Sequence, residues 1–290
     1  MQEYLLPVLL VVGIGLVAGV VLILAAKFMA VSRDEKYELV RNLLPGANCG
    51  ACGFAGCDEY ANQLVSGDVP ANLCVPGGES VVKRIANTLG KEEVDVVPLT
   101  AVVACSGGCE SVEAKMDYRG RPSCVATSLF YQGNLACDHG CLGFGDCVKV
   151  CKFGALSIQN GRAVVDKKRC TGCGRCATAC PHQVIYMRPH ASHIYVACIN
   201  PENGVKVRRE CKNGCIGCHK CEKVCPTGAI KLQGHLAWTF PEKCIYCYAC
   251  VEACPVGVIH SCYEAEESQP DLLRMAQQAN QAQEDSQEQV

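Results

Sequence analysis

Three times in the second half of the chain, four cysteines recur as Cys-x2-Cys-x2-Cys-x3-Cys-Pro. The runs are Cys170, Cys173, Cys176 and Cys180 before Pro181; Cys215, Cys218, Cys221 and Cys225 before Pro226; and Cys244, Cys247, Cys250 and Cys254 before Pro255. A looser run precedes them: Cys137, Cys141, Cys147 and Cys151, spaced x3, x5 and x3, with Lys152 where the others have proline. Nothing else in the sequence constrains the fold as strongly. Three thiolates at this spacing can wrap one corner of an iron–sulfur cubane from a tight loop, and the fourth must arrive from outside that loop. A proline after the fourth cysteine keeps the chain from continuing as helix. Zinc sites use pairs of Cys-x2-Cys, not triplets with a distal fourth ligand.

The runs come in pairs. Cys151 to Cys170 is 19 positions, Cys225 to Cys244 is also 19, and the whole set repeats after 74. Each pair reads as one bicluster ferredoxin-like unit, in which the fourth cysteine of a run ligates the other run's cluster. This groups Cys137, Cys141 and Cys147 with Cys180, and Cys170, Cys173 and Cys176 with Cys151. In the second unit Cys215, Cys218 and Cys221 join Cys254, and Cys244, Cys247 and Cys250 join Cys225. The segments after each fourth cysteine (FGALSI, HQVIYM, TGAIKL, VGVIHS) are apolar and β-branched and predict turns into short strands. The expected class is α+β, with cores built around the clusters.

Of 290 residues 26 are cysteine, too many for a long secreted chain and fitting for a metal protein. A net charge of −2 points to no nucleic acid partner. Aromatics at 6% cannot supply one large core, so metal–thiolate bonds are expected to carry much of the folding energy. Upstream, NCGACGFAGC and a distal cysteine place Cys49, Cys52, Cys57 and Cys74 at x2, x4 and x16, four thiolates that suit a [4Fe–4S] cluster or a zinc ion, the cluster being favoured. A short helix is expected over 58–64, with Cys57 at its start. Cys105, Cys109, Cys124, Cys198, Cys211 and Cys262 remain. Cys105, Cys109, Cys124 and one of Cys198 or Cys211 could hold a sixth cluster; the plainer alternative is buried free thiols. Five [4Fe–4S] clusters are expected without it.

Residues 5–26 carry no charge and are long enough, as helix, to cross a bilayer. Lys27, Arg33, Lys36 and Arg41 follow the stretch and no Lys or Arg precedes it, so the expectation is a single-pass anchor in the cell (cytoplasmic) membrane with the soluble domains on the cytoplasmic side. A cleaved signal peptide would need a basic start and a shorter apolar run. Gly15 and Gly19 make a Gly-x-x-x-Gly pair suited to a partner helix. The expected organisation is an anchor at 1–30, a four-Cys domain at 31–95, a linker and first ferredoxin unit at 96–200, a second unit at 201–262, and a disordered tail at 263–290. The histidines show no ligand spacing, Tyr246 and Tyr248 are read as shielding a cluster, and neither a nucleotide loop nor a catalytic constellation is present.

An apolar N-terminal span, then NCGACGFAGC with Cys74, then ferredoxin units, resembles the B subunit of the Rnf complex, a membrane-bound ferredoxin:NAD oxidoreductase. The likeness covers about residues 1–260, and the loop GCLGFGDC and the second unit look like the longer form of that family. It implies an electron relay without bond chemistry of its own. Electrons would come from reduced ferredoxin and pass to membrane and flavin-bearing partner subunits, with Na⁺ or H⁺ driven outward. The spacing of Cys137–Cys151 and Lys152 depart from the pattern. An iron–sulfur subunit of another membrane oxidoreductase, such as a hydrogenase or formate-oxidising complex, or a zinc-binding interaction module, would be the alternatives. Basic groups at Lys167, Lys168, Arg169 and Arg175, and at Arg208, Arg209, Lys212, Lys220 and Lys223, are candidate docking faces for an acidic ferredoxin.

Overall fold

A computed structural model describes residues 2–28, 35–67, 69–92 and 95–261; the expected tail at 263–290 and Cys262 lie outside the described residues. The charge-free stretch forms helix α1, Gln2–Phe28. Its side chains are described unbroken over residues 9–25, and among the described residues no helix is long and apolar enough to cross a membrane. The expected span is thus met as a helix.

The four-Cys domain packs α2 (Glu35–Leu43), α3 (Cys57–Ser66) and α4 (Gly78–Leu89) around Val40, Tyr60, Leu64, Val82 and Ile85, each at most 1% exposed. The apolar stripe of α4 explains its inward face: Val82, Ile85 and Ala86 recur at helical spacing. Asp58, in the first turn of α3, accepts from Arg41 Nε at 2.7 Å and from Tyr37 Oη at 3.1 Å, which ties α2 to α3.

The ferredoxin units are near copies at the 74-residue offset. In the first, β1 (Leu99–Val103) pairs antiparallel with β4 (Ile185–Pro189), and β2 (Leu156–Gln159) with β3 (Arg162–Val165). In the second, β5 (Ile194–Val196) pairs with β8 (Ile259–Ser261), and β6 (Ile230–Gln233) with β7 (Leu236–Thr239). Each of the four segments expected to form a strand does so. Short helices complete the units: α5 (Cys124–Ser128), α6 (Asp146–Val150) and α7 (Arg175–Thr178) in the first, then α8 (Gly204–Glu210), α9 (Lys220–Lys223) and α10 (Ala249–Glu252). Shifting β2, β3 and α7 by 74 lands on β6, β7 and α10 residue for residue. Strand pairing joins residues 194–196 to residues 259–261.

Candidate metal centres

The four-Cys loop is fixed from both ends. Asn48 Oδ1 accepts the N–H of Cys57 at 2.8 Å and so caps α3, and Glu59 reaches back to the N–H of Ala55 at 2.8 Å. Cys74 returns on a 3-10 turn whose Gly77 N–H bonds its carbonyl at 3.2 Å. Cys57 and Cys74 are buried; Cys49 and Cys52 are partly exposed. Burial pushes the Cys74 thiol up to about 11, the charges of Cys57, Cys49 and Cys52 push it the same way, and Cys52, Cys57 and Cys74 pack in one core.

In the second unit the crossed grouping is visible directly. One cavity is lined by Cys244, Cys247 and Cys250 together with Cys225, with Tyr248 in its wall. Another is lined by Cys215, Cys218 and Cys221 together with Cys254. Tyr246 packs against the same cysteine-rich core and stacks on His193, with ring centroids 4.7 Å apart.

The first unit repeats this with one exchange. Cys173 lies among Cys151, Cys170 and Cys49: burial raises its thiol and the charge of those three raises it further. Cys176 faces Cys170 and Cys173. The other cavity is lined by Cys141, Cys147 and Cys180, but its fourth cysteine is Cys124, not the expected Cys137. Cys137 instead lines a neighbouring cavity with Cys105, Cys109, Cys198 and Cys211. The anticipated grouping of Cys124 with Cys105 and Cys109 is likewise not formed.

The reason is in the loop. CLGFGDC (141–147) has the same length as CIGCHKC (215–221), so it is not expanded; Phe144 simply stands where the copy has Cys218. The backbones agree: Gly143 and Gly217 have φ 76° and 63°, and Gly145 and His219 have φ 78° and 60°. Helix α5 brings Cys124 to this cavity, whose loop carries Phe144 and no third cysteine. Ser123 caps α5 by accepting from Ala126 N–H at 3.4 Å, and Asp146 Oδ2 holds both Ser123 Oγ at 2.7 Å and Val125 N–H at 3.1 Å. Burial opposes the Asp146 charge, but hydrogen bonds from Ser123, Lys149 and Val125 outweigh it and keep the carboxyl below its usual range. Extending the 74-residue offset beyond the runs matches Cys124 to Cys198, but Cys198 does not line the cavity of Cys215, Cys218, Cys221 and Cys254, so the offset does not give the role of Cys124.

The sulfurs are prepared for negative charge. Ala155 N–H donates to Cys151 Sγ at 3.3 Å, and its counterpart Ala229 N–H to Cys225 Sγ at 3.2 Å. Ala101 N–H donates to Cys170 Sγ and Ala163 N–H to Cys141 Sγ, both at 3.4 Å. Such bonds stabilise thiolate and shift the potential of a bound iron–sulfur group. Without a metal, burial pushes Cys147 and Cys250 up to about 12 and Cys176 and Cys221 up to about 11, so ionisation there goes with binding a cation. Among the described residues no three Cys, His, Asp or Glu side chains converge as one metal ion would require.

Comparison with known proteins finds iron–sulfur domains over these cysteine runs. A family model described as a putative Fe-S cluster matches residues 44–76, and a 4Fe-4S dicluster domain matches 136–184, 169–229 and 214–258. The middle match joins runs that strand pairing assigns to different units. The B subunit of the proton-translocating ferredoxin:NAD(+) oxidoreductase complex of Clostridium ljungdahlii is 41% identical over 77% of this chain and 80% of its own length. The B subunit of the ion-translocating oxidoreductase complex of Methanosarcina acetivorans is 40% identical over 70% of this chain and 77% of its own. The chain belongs to the B-subunit family of ion-translocating oxidoreductase complexes. A further relative, the B subunit of the Na(+)-translocating ferredoxin:NAD(+) oxidoreductase complex of Acetobacterium woodii, is 37% identical over 73% of this chain, which spans 64% of that protein. Iron–sulfur domains are the chemical content of the chain.

Proposed function

We propose that the chain is the electron-relay subunit of an ion-translocating ferredoxin:NAD oxidoreductase complex, taking electrons from reduced ferredoxin and passing them to partner membrane and flavin-bearing subunits. The observation that carries this is the crossed cysteine grouping, with amide donors aimed at sulfur, in a member of the B-subunit family. The ligand sets that fit are Cys49, Cys52, Cys57, Cys74; Cys124, Cys141, Cys147, Cys180; Cys151, Cys170, Cys173, Cys176; Cys215, Cys218, Cys221, Cys254; and Cys225, Cys244, Cys247, Cys250. Bound there, [4Fe–4S] clusters supply one-electron transfer at potentials set by hydrogen bonding and solvent access. The chain's own residues hold them in line, exclude water and tune them. Anaerobically purified protein should be brown with at least about 20 iron atoms, four per cubane. Colourless protein loaded with zinc alone would overturn the reading in favour of a zinc module.

The two ends of the relay differ in exposure. Cys218 is exposed, as are Lys220 and Lys223 just after it in the chain, positive charge suited to an acidic carrier. At the other end Cys173 neighbours Cys49, and Lys152 Nζ donates to the carbonyls of Ala47 at 2.7 Å and Asn48 at 3.3 Å. The residue that replaces the expected proline therefore docks the four-Cys loop on the first unit. Entry at Cys218 and exit at Cys49 follow. Changing Lys220 and Lys223 to Glu should slow reduction by ferredoxin about tenfold at low ionic strength, and much less in high salt. A small artificial reductant should act at the normal rate. An equal slowing from Glu at Lys168 and Arg169, or none from either pair, would move the entry site.

We assign membrane attachment to α1, as a single pass with the rest on the cytoplasmic side. Support comes from the charge-free stretch at 5–26, the basic residues that follow it, and the exposure of Leu10, Val11, Ile14, Val17, Val21 and Ile23 at 57–69%. Removing residues 1–28 should release a soluble, still coloured protein when it is expressed without partner subunits. Retention of that truncated protein in washed membranes would count against the single anchor.

A further inference from the structure

We propose that Arg188, a residue of the first ferredoxin unit, is the counter-charge of the Cys225, Cys244, Cys247 and Cys250 centre in the second, and raises the reduction potential of that centre above that of its copy. The inference rests on the relay reading above and adds which of two matched centres takes an electron more readily.

Among the described residues Arg188 is the one charged side chain that is buried, at 5% exposed. It sits on β4, where its cross-strand partner is Thr100, itself 0% exposed and neutral. Nη1 donates to Thr239 Oγ1 at 2.7 Å, and Nη2 is buried with no hydrogen-bond partner. No carboxylate among the described residues forms an ion pair with it. A cavity of about 250 Å³ beside it, lined also by Tyr186, Trp238 and Pro241, brings no second charged group. Taking a guanidinium out of water is costly unless an opposite charge compensates it. Four thiolates holding an iron–sulfur group are such a charge, and they lie on the far side of Thr239.

Thr239 makes the link. It lines the cavity beside Arg188 and also the cavity of Cys225, Cys244, Cys247 and Cys250. Its oxygen accepts the bond from Arg188, which leaves its own O–H to donate. The charge is felt at the sulfurs. Burial raises the Cys244 thiol, and Arg188 acts against that rise. Because β4 belongs to the first unit and β7 to the second, the bond from Arg188 to Thr239 also crosses between the units.

The copy of this centre, formed by Cys151, Cys170, Cys173 and Cys176, lacks the link. The 74-residue offset carries Thr239 onto Val165, which has no hydroxyl. Both residues hold the same strand position, Val165 opposite Leu156 and Thr239 opposite Ile230. The ligand spacings match, and so do the amide donors: Ala155 N–H to Cys151 Sγ at 3.3 Å and Ala229 N–H to Cys225 Sγ at 3.2 Å. A buried cation therefore distinguishes two otherwise similar centres. A fixed positive charge favours the state with one more negative charge, so it favours reduction. In turnover one electron arrives from the centre of Cys215, Cys218, Cys221 and Cys254 and one leaves toward the first unit. Electrons balance and no proton moves. Arg188 thus draws the electron inward from the exposed entry at Cys218.

The test is a redox titration of the full-length chain, purified anaerobically in detergent, with each centre followed by its magnetic spectrum. Cys225→Ala identifies the signal of the Cys244 centre by its loss, and Cys151→Ala that of the copy. In the wild type the Cys244 centre should titrate higher than its copy, by about tenfold in the reduction equilibrium or about 59 mV for one electron. Arg188→Gln, which keeps an amide donor for Thr239, should lower that potential by about the same tenfold and move the other centres by less than about twofold. Arg188→Lys, which keeps the charge, should lower it by less. An unchanged potential in Arg188→Gln overturns the proposal and leaves the relay standing. An equal fall at every centre, or a fall in Arg188→Lys as large as in Arg188→Gln, overturns it too, since neither follows from a local charge. If Arg188→Gln loses iron, the wild-type comparison decides, and a Cys244 centre at or below its copy overturns the proposal. A wild-type chain without iron overturns the relay reading itself.

Discussion

Replacing Cys180 with alanine should remove about four iron atoms, and should remove them from the neighbouring run's centre rather than its own. Cys180 follows Cys170, Cys173 and Cys176 in sequence, yet its sulfur shares a cavity with Cys124, Cys141 and Cys147. The chain turns through α7 between Cys176 and Cys180, which carries the fourth sulfur off to the far side. Magnetic spectra of the reduced protein should lose the signals of the Cys141 centre and keep those of the Cys170 centre, which retains Cys151. Cys254→Ala should act in the same way on the centre of Cys215, Cys218 and Cys221. Loss of the local centre in either variant would mean that each run folds as an independent four-cysteine loop.

The offset of 74 residues explains why so much was legible beforehand. A ligand loop is short and its ligands are one residue type, so spacing alone encodes both the turn and the partner. Strands β2, β4, β6 and β8 follow their runs at fixed distances because each fourth cysteine ends its helix and the next apolar residues must close over the sulfurs. Placement of Cys124 was not legible: a ligand brought by a separate helix, held by Ser123 and Asp146, leaves no local spacing. Counting Cys137 into the first run hid the correspondence of Phe144 to Cys218 in the repeat. Lys152 looked like a flaw in the motif because its partners, the carbonyls of Ala47 and Asn48, are more than 100 residues away. Docking between domains depends on such long-range pairs, and periodicity carries no record of them.

Cys124→Ala should remove about four iron atoms, and adding Phe144→Cys to that variant should restore them. The first change takes the only cysteine of the Cys141 cavity that lies outside the two runs of its unit. The second returns the loop to the pattern of its copy: residue 144 lies 74 positions before Cys218, in a loop of equal length whose glycines at 143 and 217 share the left-handed conformation. Its cost is modest, since Phe144 is half-buried and its main ring contact is edge-on to Tyr118 at 5.9 Å, a pair worth about 0.5–1.5 kcal/mol. Asp146→Ala supplies an independent check. It leaves every cysteine in place but frees α5 from α6, so the Cys124 variant's defect should reappear in weaker form, as a centre that is lost on mild oxidation. Phe144→Cys should cure that defect too, because a ligand carried by the loop itself does not depend on α5. Failure of Phe144→Cys to restore iron in the Cys124→Ala background, with iron at the other centres intact, would show that Cys124 serves this centre by some route other than standing in for the missing second cysteine.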